Sequence, residues 1–152
     1  MKAEGFAEDE GRKAAGLESS KAFVAMKFGE PWTSIFTKAI DPAIRAAGFE
    51  PVQLEFKEFN DDVIAEIFAG IRGSRFIIAD FTGQSFGAYY EAGFAKGLGI
   101  EVIYTCKHDE LKDAHFDTNH FSHIAWKDHT DLRNRLVTRI NGTIGIGPLK
   151  AE

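Results

Sequence analysis

Five short apolar runs recur along the chain: AFVAMKF (22–28), FEPVQLEF (49–56), RFIIADF (75–81), IEVIYTC (100–106) and HIAW (123–126). Between them lie segments with helix signals. Gly29-Glu30-Pro31 breaks the first run before a helix that extends to about Ala47 and stops at Gly48. Asn60-Asp61-Asp62 caps a helix with Val63, Ile64, Ile67, Phe68 and Ile71 on one face. Thr82-Gly83-Gln84-Ser85 forms a turn into the helical segment FGAYYEAGFA, and a last helix spans Asp128 to about Asn141. Apolar strands alternating with helices leave few ways to bury both faces of a sheet.

The alternation predicts a parallel sheet with right-handed crossovers and helices on both sides. The expected fold class is α/β: a flavodoxin-like (Rossmann-like) three-layer sandwich with a five-stranded parallel sheet in the order 2-1-3-4-5. Ligands of such sheets bind outside the carboxyl ends of the strands, where the order reverses. That places function in the loops after Phe28 and Asp80. At 152 residues a single core suffices. Residues 1–20, with eight charges and no amphipathic period, read as a flexible N-terminal extension, and residues 21–145 as the domain. A net charge of -5 argues against a broad nucleic-acid-binding surface, though a local pocket can still hold a small anion. A lone Cys106 excludes an intrachain disulfide and a thiolate-built zinc site. No run reaches the ~20 apolar residues of a membrane span, and the expected location is the cytoplasm.

Glu91 stands out chemically. Its same-face neighbours on a helix are Gly87, Ala88, Phe94 and Ala95, none of them cationic. A carboxylate desolvated by small apolar groups near the switch point suits a nucleophile or a general acid/base; the plainer alternative is a glutamate that turns out to water or pairs with Arg72 or Lys96. Gly87 and Gly93 cost the helix roughly 1 kcal/mol each, which makes sense if something approaches its backbone. Ser85 is either a plain N-cap or a phosphate contact at the helix amides. Asp80 is expected to point toward the same region or to cap a loop, and Asp62 is a catalytic candidate or a helix cap. Phe28, Gly29 and Tyr90 are near enough in sequence to contact a substrate.

The order DDVIAEI, FIIAD, then T-x-x-S-x-G-x-x-Y-E-x-G-x-A over 82–95, followed by an apolar strand after Leu98-Gly99, resembles the nucleoside 2-deoxyribosyltransferase superfamily over residues 22–126. The spacing is most similar to that of deoxynucleoside 5'-monophosphate N-glycosidases. The resemblance implies a small-molecule nucleotide or nucleoside as substrate, no cofactor and no metal. It casts Glu91 as the nucleophile, Ser85 as the 5'-phosphate contact, and Asp80 and Asp62 as supporting acids, with Asp61 an alternative to Asp62. Where nucleoside-specific transferases carry an aspartate for the 5'-hydroxyl, this chain carries Ser85. Met26-Lys27-Phe28-Gly29 departs from the family's usual first loop, and TIR-like relatives that cleave NAD share such opening strands. A non-enzymatic nucleotide-sensing module is the other reading.

His115, His120 and His123 with Asp117 lack the helical i,i+4 spacing of a metal site. In the resembling family the segment after the fourth strand enters a neighbouring subunit's pocket. That implies a homodimer or higher homo-oligomer with shared sites, to which Asp117 and Asn119 contribute.

Overall fold

The computed structural model describes residues 16–55, 60–113 (side chains 112 and 113 excepted) and 122–150. Five strands, β1 (Lys21–Ala25), β2 (Glu50–Val52), β3 (Phe76–Asp80), β4 (Glu101–Lys107) and β5 (His123–Trp126), form one all-parallel sheet in the order β2-β1-β3-β4-β5. The flavodoxin-like α/β architecture read from the alternation is the one observed. Its helices are α1 (residues 32–46), α2 (Asp61–Arg72), α3 (Phe86–Gly97) and α4 (His129–Thr143), with a 3-10 segment, His108–Asp113, after β4.

Side chains alternate across each strand and so build two separate cores. Ala22, Val24, Phe76, Ile78, Ile103 and Ile124 pack with α1 and α4 on one face. Phe23, Ala25, Ile77, Ala79, Val102 and Tyr104 pack with α2 and α3 on the other. Burial on both faces explains why β3 reads as an unbroken apolar run.

Helix α1 is helical throughout but not uniformly so. Trp32–Ile35 is α-helical, Phe36–Ile40 is π-helical, and Asp41–Ala46 is α-helical again. Pro42 has no N–H for the carbonyl four residues back and its ring crowds that carbonyl, so a widened turn just ahead of it takes up the misfit. At the far end Gly48, φ +92, reverses the chain: the amides of Gly48 and Phe49 return to the carbonyls of Arg45 and Ile44, each at 3.0 Å. The tail crosses at this turn. Gly147 N donates to Ala47 O at 2.7 Å and Leu149 N to Gly48 O at 2.9 Å, so packing extends past the expected boundary at 145. A Cβ on Gly48 would lie 2.5 Å from Gly147 O.

Two strands are shorter than expected. β2 ends at Val52 rather than 56, because it is an edge strand containing Pro51 and pairs with β1 through three residues only. β1 ends at Ala25, so residues 26–28, expected in the strand, join Gly29-Glu30-Pro31 in the loop that leads to α1. Of the expected extension, residues 1–15 lie outside the described residues. Among the described residues no helix is long and apolar enough to cross a membrane.

Candidate active site

The crossover after β1 leaves for one face of the sheet and the crossover after β3 for the other, so the strand order reverses between them at the carboxyl edge, the place where sheets of this kind bind ligands. The loop after β3 is held from three sides. Trp32, at the start of α1, donates its indole Nε1–H to Thr82 O at 2.9 Å. Gly83 N donates to Glu110 Oε1 at 3.1 Å, and Lys107 N to Thr82 Oγ1 at 3.0 Å. Gly83 adopts φ +81 beneath the indole, and a Cβ there would lie 2.5 Å from Trp32 Cζ2. Glycine is thus required twice over, by dihedral and by space. Gln84 follows at φ 55, its side-chain Oε1 accepting from Tyr89 Oη at 2.9 Å. Lys27, from the loop after β1, sets its ammonium 4.5 Å from the centre of the Trp32 ring.

This loop delivers Ser85 as the N-cap of α3, where its Oγ accepts from Ala88 N at 3.3 Å. Gly87 is half-buried in the first turn. Glu91 lies six residues past the cap, about 9 Å along the axis, on the sheet-facing side with Ala88, Ala92 and Ala95. Only 5% of it is exposed. Among the described residues no hydrogen bond or ion pair reaches it. Burial alone pushes its carboxyl from an ordinary 4.5 up to about 8. The outward or salt-bridged glutamate, paired with Arg72 or Lys96, is not what the helix builds.

Asp80 is also buried, at 0% exposure, but it faces the other way. Strand alternation puts it with Phe76 and Ile78 on the α1/α4 side, whereas Glu91 rides on the helix covering the opposite side. Its Oδ1 accepts from Thr82 N at 3.0 Å; its Oδ2 accepts from Trp126 Nε1 at 3.0 Å and from the Thr105 hydroxyl. Burial pushes this carboxyl above its ordinary value, against the hydrogen bonds from Thr105, Thr82 and Trp126. The expectation that Asp80 points into Glu91's region is therefore corrected. Its carboxylate ties the ends of three strands together.

Asp62 stands exposed in the first turn of α2, and the cap of that helix is Asn60, which accepts from Val63 N at 2.9 Å. Phe28 is half-buried and Gly29 exposed, the latter at φ +88 in the loop after β1. Tyr90 is 57% exposed on the outside of α3, its ring 6.0 Å from that of Phe68, so it does not share Glu91's face. Asp117 and Asn119, with His115 and His120, lie outside the described residues.

The structure thus places Ser85, Gly87 and Glu91 on one helix, Ser85 and Gly87 at its amino end and Glu91 at its middle, with Phe28 and Gly29 in the loop after β1. Sequence reasoning missed Trp32 and Glu110, whose bonds to Thr82 and Gly83 span 50 and 27 residues, and Lys27, which sits over the Trp32 ring rather than on the loop itself. The sole local hint was a tryptophan opening the first helix. A separate shallow groove, lined by Ile124, Arg135, Arg139 and Thr143, lies along α4 at the sheet's far edge and away from the switch point. Neither a scan against protein-family models nor a search of curated proteins returns a match to this chain.

Proposed function

We propose that this chain cleaves or transfers the N-glycosidic bond of a nucleoside 5'-monophosphate, with Glu91 as the nucleophile. The observation that carries the reading is the Glu91 carboxyl: buried, reached by no donor among the described residues, and carried at the middle of a helix that begins at the switch point. In the first step a carboxylate oxygen bonds to the anomeric carbon while the carbon–nitrogen bond breaks. The electron pair leaves with the base, which takes up a proton from solvent. Water or an acceptor base then attacks the glycosyl ester, frees the sugar and regenerates the carboxylate. Ser85 and the first amides of α3 hold the 5'-phosphate, an anion suited to the positive end of a helix. We place the enzyme in the cytoplasm as a homodimer.

The raised pKa has a kinetic signature. Near neutral pH the free carboxyl is mostly protonated, and each unit between pH and pKa costs about 1.4 kcal/mol to ionise it. A nucleophile so placed gains activity as pH rises toward 8. The test is chromatography of a mixed pool of nucleoside monophosphates, nucleosides and NAD after incubation with the protein. Free base from the monophosphates, with kcat/KM climbing toward pH 8 and lost in Glu91→Gln, supports the reading. Release of nicotinamide alone would replace the substrate assignment, a profile that falls over this range would recast Glu91 as a general acid, and no turnover of any substrate would remove the enzyme reading.

A further inference from the structure

We infer that the outward face of α3 is a contact surface for a second copy of this chain, the two α3 helices packing antiparallel about a twofold axis. At about 100° per residue, the buried residues Ala88, Glu91, Ala92 and Ala95 centre on one side of the helix. The opposite pole is Phe86, Tyr90, Gly93 and Gly97. A surface helix normally turns charged and polar residues to water at that position. This one turns out two large aromatics, 79% and 57% exposed, and two exposed glycines.

Among the described residues no side chain or backbone crowds the glycines. Among the described residues a Cβ on Gly93 or Gly97 meets nothing within 4 Å, and Gly93 sits in helix interior that alanine favours by about 1 kcal/mol, with Gly97 closing the helix on the same pole. Close approach by another backbone accounts for them. The order along the pole is self-complementary: the aromatic ridge occupies the amino-terminal half and the glycine notch the carboxyl-terminal half. A twofold axis between Tyr90 and Gly93 sets Tyr90 against the partner's Gly93 and Phe86 against the partner's Gly97. Each ridge fills the other's notch, as an isologous contact requires.

Charge fits the same operator. α2 lies beside α3, its Phe68 ring stacked 4.1 Å from Phe94, and runs in the same direction. Its exposed Asp62 lies at the end level with Phe86 and its exposed Arg72 at the end level with Gly97, the guanidinium 5.4 Å above the Phe94 ring. Antiparallel pairing lays α2 over its counterpart and brings Asp62 toward the partner's Arg72, twice per dimer. This inference shares with the proposed function only the expectation of two copies. It uses neither Asp117 nor Asn119, and it does not depend on any chemistry at Glu91.

Sedimentation equilibrium of the full chain tests it, with circular dichroism to confirm folding of each variant. The wild type should be dimeric at micromolar protein, and Tyr90→Glu and Gly93→Glu monomeric. Gly93→Ala separates an interface from a merely helical role: it strengthens the helix yet raises the dimer Kd about tenfold or more. Arg72→Glu should weaken the dimer, and adding Asp62→Arg should restore it. A monomeric wild type at the highest concentration reached, or an unchanged Kd in Gly93→Ala, overturns the proposal; so does failure of the charge swap to rescue. Because sedimentation reads no turnover, its failure is distinct from failure of the glycosidase reading.

Discussion

Glu91 and Asp80 are both carboxylic acids hidden from water, and their difference lies in what surrounds them. Three donors hold Asp80, whereas apolar side chains surround Glu91, and burial alone carries its pKa to about 8. Linkage turns that into a stability curve. A carboxyl whose folded pKa exceeds its unfolded value stabilises fully below about 4.5 and loses that contribution as pH rises to about 8. The span corresponds to roughly 3–5 kcal/mol. Glu91→Gln cannot ionise, so its urea-unfolding free energy should exceed that of the wild type above pH 8, and the gap should close toward pH 5. A constant gap across that range would show that burial does not disfavour the ionised form. Asp80→Ala should behave differently, because it orphans the Thr82 amide, the Thr105 hydroxyl and the Trp126 indole N–H. We expect a loss of about 2–4 kcal/mol, read as a lower denaturation midpoint; an unchanged midpoint would reopen a role for Asp80 on substrate.

Single elements show why the turn before α3 takes its form. Ser85→Ala removes the cap to Ala88 N and should cost about 1 kcal/mol of stability. If that hydroxyl also holds phosphate, the preference for monophosphates over nucleosides should shrink by about 1–3 kcal/mol in kcat/KM. A stability loss with no change in preference would leave Ser85 as a cap only. Gly83→Ala forces a Cβ into the Trp32 ring at a left-handed dihedral, and should cost about 1–3 kcal/mol; a neutral effect would mean that the indole moves freely. How far such elements were legible depends on range. The α3 cap, the Gly48 stop and the β3 run were plain in local sequence, because capping, left-handed closure and two-sided burial each act within a few residues. The direction of Asp80 was legible in principle, since counting by twos from Phe76 assigns it to the α1/α4 side. The Trp32 clamp and the Glu110 contact were not, because only the folded sheet brings residues 32 and 110 to residues 82 and 83. The π segment in α1 was half visible: Pro42 announced a misfit but not whether the helix would break or widen.

On the scale of the molecule, every pair of neighbouring strands is parallel, so no strand pair can form from one local hairpin. The parts that hold the assembly in register are therefore long-range, and the two tryptophans occupy the two most telling of them. Trp126, 2% exposed, is bonded to Asp80 within the strand ends; Trp32 is half-buried over Gly83 beside Lys27. The chain thus carries two intrinsic fluorophores that watch different events. Trp126 should emit at the shorter wavelength and change only when the sheet comes apart. Trp32 should emit farther to the red and be open to iodide quenching, and a nucleoside monophosphate at the switch point should shift its emission alone. In Trp126→Phe that ligand-induced shift should persist undiminished, and in Trp32→Phe it should vanish. Persistence of the shift in Trp32→Phe would mean that ligand is felt at the strand ends and not at the clamp, so light emission from one indole would separate occupancy of the switch point from integrity of the fold.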